Sequence, residues 1–101
     1  MKRVEQLLAA TLEMEEAVKF YEGRVPGLGE RFHNAVKEAN AFILRNPLLG
    51  SPHRRGTRKW RVSDFPYNVV YREYEDRILI VAIAHGKRRP GYWLRRLGSA
   101  S

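Results

Sequence analysis

The chain has 101 residues, of which 44% are hydrophobic and 30% charged, and it contains no cysteine. This length fits one folded domain, the composition argues against disorder, and disulfides and thiolate metal sites are excluded. No apolar run approaches the roughly 20 residues of a membrane span, and glutamates interrupt the N-terminal apolar run too early for a signal peptide. These features favour a cytoplasmic protein without membrane contact.

The formal charge of +8 lies in the second half of the chain. Residues 1–50 carry seven Lys/Arg and seven Glu, whereas residues 51–101 carry twelve Lys/Arg and four acidic residues. A basic half of this kind indicates an anionic partner, such as nucleic acid, an acidic protein segment or a membrane surface. The alternative, with about equal weight, is a solvated basic face that only maintains solubility.

Two helices are predicted in the first half of the chain. In residues 8–23 apolar residues recur at steps of three and four, which places them on one helix face. A second apolar stripe runs through residues 26–45, where Pro26 suits the first turn and Asn46-Pro47 ends the helix. The short connection predicts an antiparallel helical hairpin. The sequence of residues 2–6 fits either a short strand or an earlier start of the first helix.

Strands are predicted in the second half, after a loop over residues 46–57 that is rich in proline and glycine. Residues 58–62 alternate with a period of two, and residues 67–74 form the next strand. A turn at Glu75-Asp76 leads into the apolar run of residues 77–84, which predicts a central strand buried on both faces.

The resulting element order is (β)-α-α-β-β-β. Helices followed by strands on short connections predict an α+β domain, with the helical hairpin packed on a small antiparallel sheet. We assign residues 1–97 to this single domain and residues 98–101 to a flexible C-terminal tail.

Cations and aromatic rings are concentrated at two places in the predicted sheet. Lys59 and Arg61 share one face of their strand, while Trp60 points to the core. Beyond the last strand follow His85, Lys87, Arg88, Arg89, Tyr92 and Trp93. Such a surface holds single-stranded nucleic acid, because cations bind phosphates and rings stack on bases.

The same groups have the chemistry for cutting RNA. The reaction needs a base for the 2′-hydroxyl proton, an acid for the leaving oxygen and cations for the phosphorane. A lysine among other cations has a lowered pKa and acts as a base, and histidine acts as either acid or base. No metal or other cofactor is implied, since His33 and His53 show no ligand spacing with His85.

Structural interpretations stand beside these functional ones. Lys59 and Arg61 fit the solvent-facing side of an edge strand, where lysine discourages aggregation. His85 at a strand end fits a hydrogen-bonded structural histidine. Tyr92 and Trp93 fit rings that cover an open end of the core.

Three stretches resemble the RelE/ParE toxin superfamily. They are EEAVKFYEGRVPGLGERF (15–32), NPLLG (46–50) and FPYNVVYREYEDRILIVAIAHGKRRPGYW (65–93). The resemblance covers about residues 4–93 and is greatest to the ParE-like proteins labelled plasmid stabilisation system proteins. It implies a toxin of a bacterial type II toxin–antitoxin system, with a first strand at about residues 2–6. It also implies a cognate antitoxin partner that wraps the toxin in a hetero-oligomer.

The superfamily divides by target, and the resemblance carries two patterns of residues. RelE-like members cut messenger RNA in the ribosomal A site, and their basic pair and later arginine are matched by Lys59, Arg61 and Arg88. Tyr92 lies near the position of their tyrosine, but Asn68 replaces one arginine. The loss of one transition-state donor typically costs about a hundredfold in rate.

ParE-like members inhibit DNA gyrase, which makes the basic C-terminal surface a binding site instead. The residues assigned to target binding are Lys87, Arg89, Trp93, Arg95 and Arg96. The residues assigned to catalysis, if the chain is a metal-independent endoribonuclease, are Lys59, Arg61, His85, Arg88 and Tyr92. A third hypothesis is an inactive or decayed family member, because Leu7-Leu8 departs from the polar residues and proline usual at that place.

Overall fold

The computed structural model describes residues 2–98 as two helices packed on one face of a five-stranded sheet. The elements are β1 (Arg3–Gln6), α1 (Leu8–Arg24), α2 (Leu28–Arg45), β2 (Ser51–Pro52), β3 (Arg58–Arg61), β4 (Tyr67–Glu73) and β5 (Arg77–His85). Short 3₁₀ turns follow β2 at Arg54–Gly56 and end the described chain at Leu94–Leu97. The predicted α+β class is confirmed. Of the predicted tail, only Gly98 belongs to the described residues.

The helical hairpin forms where the periodic apolar pattern predicts it. Phe32, Val36 and Ile43 of α2 are fully buried against the sheet. The second helix begins at Leu28, two residues later than predicted, because Gly27 has a φ of 89° and therefore a left-handed backbone.

The sheet is mixed, whereas the sequence predicted a purely antiparallel one. Its strand order is β1-β5-β4-β3-β2, and only β1 runs parallel to its neighbour. The open choice for residues 2–6 is thereby decided in favour of a strand, which pairs Arg3 with Arg77 and Gln6 with Ile80. The predicted loop over residues 46–57 contains β2, a two-residue edge strand against β3.

The central strand β5 is buried on both faces, as its apolar run predicts. Its pairing with β4 is irregular: Val70 lies opposite Ala82, and Tyr71 lies opposite Ile80. Val81 is therefore an extra residue, and both it and Ala82 pack on the face away from the helices. This β-bulge reverses the alternation for the rest of β5.

The alternation predicted for β3 is confirmed in direction, with a correction for one residue. Lys59 and Arg61 are exposed on the face away from the helices, and Val62 is buried on the helix side. Trp60 lies on the helix side too, but it is only partly buried, because its ring stacks on Phe42 at 4.5 Å near the surface.

Candidate functional site

The C-terminal segment (residues 86–98) folds back over the sheet face that the helices leave uncovered. Trp93 is 2% exposed and Leu97 6% exposed, and both pack with Val70 and Val81 of the sheet. A buried side chain of this size contributes about 1.5–3 kcal/mol. The segment is therefore part of the folded core.

Glu13 of α1 fixes the C-terminal segment to the edge of β5. Its carboxylate accepts two hydrogen bonds from the Arg96 guanidinium, at 2.9 and 3.0 Å, and one from the Tyr92 hydroxyl. It also accepts the backbone N–H of Ile83 at 3.1 Å. Arg96 donates in turn to the Val81 carbonyl at 3.1 Å. These contacts, the Glu13 clasp, close the edge of β5 beyond the end of β1.

The clasp also determines the protonation of its donors. Burial and the hydrogen bond to Glu13 raise the pKa of Tyr92 far above its usual range. The hydrogen bond to Glu13 raises the pKa of Arg96. Both donors therefore keep their protons throughout the physiological pH range, and Tyr92 remains a neutral hydroxyl.

The sheet face under the C-terminal segment carries cations, and we call this surface the basic face. Lys59 and Arg61 lie opposite Val70 and Asn68, so the two cations share that face. The full set is Arg54, Lys59, Arg61, Arg72, Arg88, Arg89 and Arg95. The acidic residues lie on the helices, on β1 and near the turns around residues 63–64 and 73–76. Positive charge is therefore concentrated on one side of the molecule.

A small cavity of about 90 Å³ lies within the basic face. Lys59, Asn68, Arg88 and Tyr92 line it, together with Arg89, and no carboxylate does. Its volume equals roughly three water molecules, so it fits one small polar group such as a phosphate. The Arg88 guanidinium lies 3.9 Å from the Tyr92 ring centre, which holds this cation at the rim.

His53 is a second histidine at the same cavity, and the sequence analysis gave it no role. Its ring lies 5.4 Å from the ring of Trp93. Burial lowers the pKa of His53, and the nearby charges of Lys59 and Arg54 lower it further. The imidazole is therefore mostly neutral at pH 7, and the two neighbouring cations add to the effect of burial.

His85 lies on the other side of the sheet from Lys59. Its ring contacts Tyr67 at 5.0 Å between centroids, and Tyr67 packs in the core cluster under the helices. Its Nδ1 accepts the backbone N–H of Lys87 at 3.0 Å. The ring borders a separate open groove of about 350 Å³, which Glu16 also lines. The geometry matches the structural interpretation of this histidine.

The five residues assigned to catalysis are thus only partly brought together. The small cavity is lined by Lys59, His85, Arg88 and Tyr92, and Arg61 lies at its side. The His85 ring, however, packs on Tyr67 on the helix side of the sheet. The cavity can hold an anion between cations. It lacks the arginine that Asn68 replaces, and Tyr92 has its hydroxyl engaged by Glu13.

The five residues assigned to target binding divide in the same way. Lys87, Arg89 and Arg95 are exposed and available to a partner. Two assignments need correction: Trp93 is buried in the core, and Arg96 is bound in the Glu13 clasp. Both side chains hold the segment on the sheet: Trp93 packs on its apolar residues, and Arg96 binds the carboxylate of Glu13.

Glu13 is a functional-site residue that the sequence did not predict. It follows Ala10 by three residues and precedes Ala17 by four, and both alanines are buried. This spacing places Glu13 next to the buried stripe of α1, whereas Glu15 and Glu16 are exposed. A glutamate at the border of an apolar stripe was the available signal, but its partner 83 residues further along the chain was not visible.

Two further findings concern the described part of the chain. Among residues 2–98 no group of three or more His, Asp or Glu side chains is arranged to hold a metal ion. Neither α1 nor α2 is long and apolar enough to cross a bilayer.

Two helices packed on a five-stranded mixed sheet agree with the RelE/ParE-like fold. A sequence model of the family described as ParE toxin of type II toxin-antitoxin system, parDE, matches residues 4–90. The chain belongs to this family of ParE toxins.

Comparison with solved structures supports the fold. A chain of the chromosomal ParDE toxin–antitoxin system from P. aeruginosa superposes with a TM-score of 0.64 at 18% sequence identity. The match covers 84% of this chain and 96% of that chain. No curated protein sequence is significantly similar to this chain.

Proposed function

We propose that this ParE-family toxin blocks DNA gyrase through the exposed cations of the C-terminal segment, and that it acts in the cytoplasm. One observation carries the proposal: Lys87, Arg89 and Arg95 are exposed on a segment that is held in place by the burial of Trp93. Fixed cations bind a partner at a lower entropic cost than cations on a loose tail. Inhibition of gyrase is what the resemblance to ParE-like proteins implies.

The test is a supercoiling assay with purified gyrase and relaxed plasmid. We expect the wild-type protein to inhibit supercoiling, and Arg89→Glu together with Arg95→Glu to raise the half-inhibitory concentration at least tenfold. The matched control is Lys19→Glu together with Lys37→Glu, which changes the net charge equally on exposed positions of the helices. Normal supercoiling at saturating wild-type protein would exclude gyrase as the target.

Point variants are preferable to truncation here. Removal of the residues after Pro90 deletes Trp93 and Leu97 from the core and Arg96 from the clasp. Loss of inhibition by such a truncation would report unfolding as much as a lost contact.

The proposed partner of this toxin is a cognate antitoxin, as in the ParDE system of its structural neighbour. Leu8, Leu12 and Phe20 of α1 are more than half exposed, which is costly for an unpartnered helix. We assign this face to the antitoxin in a hetero-oligomer. Co-expression tests it: Leu12→Glu is expected to reduce co-purification, while Glu38→Lys on an exposed position of α2 leaves it unchanged.

Ribosome-dependent cleavage of messenger RNA is the second candidate. It is favoured by one observation: Lys59 and Arg88 line one cavity with Tyr92. Primer extension on ribosomes paused at a defined codon tests it, since breaks that disappear in Arg88→Ala would establish a nuclease despite Asn68. An intact messenger together with inhibited gyrase would support the first proposal, and the absence of both effects would indicate an inactive family member.

A further inference from the structure

We propose that the basic face binds the phosphate backbone of duplex DNA. This inference rests on the proposed function, because gyrase acts on a DNA duplex. It adds a second contact: the toxin touches the DNA held by gyrase as well as the enzyme.

The distribution of charge is the first argument. Lys59 and Arg61 on β3 and Arg89 and Arg95 on the C-terminal segment have no salt bridge within residues 2–98. The one carboxylate that reaches the segment, Glu13, is neutralised by Arg96. A surface with unpaired cations and no facing acid attracts a polyanion and releases its counterions on binding.

The shape of the surface is the second argument. The cations lie on a sheet face, and the cavity of about 90 Å³ within that face has room for a single phosphate group. Lys59 and Arg89 line this cavity, whereas Arg61 and Arg95 are not part of its lining, so the cations extend beyond the reach of one small anion. That spread suits successive phosphates along a duplex better than one small anion.

The positions of the aromatic rings decide between a duplex and a single strand. Single-strand binding uses exposed rings on which bases stack. Here Trp93 is 2% exposed, and the Tyr92 ring has Arg88 at 3.9 Å and Arg96 at 5.3 Å from its centre. The ring of Tyr74 is likewise covered, by Arg72 at 5.4 Å and by a second arginine at 4.4 Å. The rings near the basic face are therefore occupied, and cations remain as the contacting groups.

The experiment measures fluorescence anisotropy of a labelled 20-base-pair DNA duplex titrated with the full chain at a series of salt concentrations. If about four phosphates are contacted, the logarithm of the association constant falls with the logarithm of the salt concentration with a slope of about −4. That slope corresponds to a loss of affinity of roughly two orders of magnitude between 50 and 200 mM salt.

Charge reversals locate the surface. We expect Lys59→Glu with Arg61→Glu to weaken duplex binding at least tenfold at 50 mM salt, and Arg89→Glu with Arg95→Glu to do the same from another element. Lys19→Glu with Lys37→Glu, which lowers the net charge equally on the helix side, is expected to change binding less than threefold. Equal losses in all three variants would mean that only net charge matters and would overturn the proposal.

Two further arms separate this inference from the proposed function. Tighter binding of single-stranded DNA or RNA of the same length than of the duplex would overturn the assignment to duplex DNA. Wild-type gyrase inhibition by a Lys59→Glu, Arg61→Glu variant that no longer binds DNA would overturn the second contact, to the DNA held by gyrase, and leave gyrase itself as the target. Salt-dependent duplex binding without gyrase inhibition would support the surface and refute the proposed function.

Discussion

Replacement of Glu13 by alanine is the most informative test of how the basic face is held. The variant removes the acceptor of two hydrogen bonds from Arg96, one from the Tyr92 hydroxyl and one from the Ile83 N–H. The side chains of Glu13 and Arg96 are 18% and 22% exposed, so water replaces these contacts only in part.

The magnitude follows from this partial burial. Breaking a buried ion pair from one side costs about 3–5 kcal/mol, and a hydrogen bond to a charged group contributes about 1.5–3 kcal/mol. Arg96 keeps the Val81 carbonyl at 3.1 Å, which places the cost of Glu13→Ala at the lower end, about 3 kcal/mol. For a domain of this size that lowers the melting temperature by roughly 12–24 °C.

Urea unfolding, followed by far-ultraviolet circular dichroism, measures the change in the free energy of unfolding. Glu16→Ala is the matched control, because Glu16 is exposed on the same helix, and its effect is expected to stay within about 0.5 kcal/mol. Glu13→Gln keeps an acceptor but loses the charge, and it should fall between the two. A Glu13→Ala variant as stable as Glu16→Ala would refute the role of the clasp.

Four other variants have clear expectations. Burial and the hydrogen bond to Glu13 raise the pKa of Tyr92, so its contribution to stability is complete below about pH 10 and is lost as the pH rises further. The stability of Tyr92→Phe, measured by urea unfolding, should therefore fall less at alkaline pH than that of the wild type. The pKa of His53 is lowered, so its contribution to the free energy of unfolding is present above about pH 6.5 and is lost as the pH falls. His53→Gln should therefore flatten the dependence of stability on pH between pH 7.5 and 5. An unchanged dependence would contradict the burial of this ring. Trp93→Ala should cost about 3–5 kcal/mol in the same assay, and a smaller loss would mean that the segment is not part of the core. Gly50→Ala places a methyl group against the buried Tyr71 hydroxyl and should cost at least about 1–3 kcal/mol, with a melting temperature equal to wild type as the opposing result.

Much of the fold could be predicted because its local patterns agree with its tertiary contacts. The apolar stripe of α2 and the continuous run of β5 each identify one element and its buried side. Parallel pairing of β1 with β5 could not be predicted, since the partners are 74 residues apart and a four-residue strand carries no signal of its neighbour.

The site was harder to predict than the fold, and His85 shows why. Regular alternation from Ile78 along β5 would place His85 on the face away from the helices, with Lys59. The extra residue Val81 reverses that alternation, and the histidine lies beside Tyr67 instead. Because β5 is apolar at every position from Ile78 to Ala84, nothing in the sequence marks a bulge.

The cations were easier to find than their roles. Arg95 and Arg96 are neighbours of the same type, yet Arg95 is exposed and Arg96 is bound to Glu13. Charge gives the sign of a surface but does not say which member of a pair has an internal partner. The two arginines differ only because the folded C-terminal segment brings Arg96, and not Arg95, next to Glu13 of α1.

The pairing of the first strand with the last has a consequence for synthesis on the ribosome. Arg77 pairs with Arg3, and Arg96 binds Glu13, so the sheet and the clasp can form only after these later residues have been synthesised. At about 5–20 residues per second, the 74 residues between the strands take roughly 4–15 s to translate. During that interval the residues of both helices have been synthesised, but the basic face is unfinished. A partner that recognises the outer side of α1 would thus meet its binding residues before the basic face is complete.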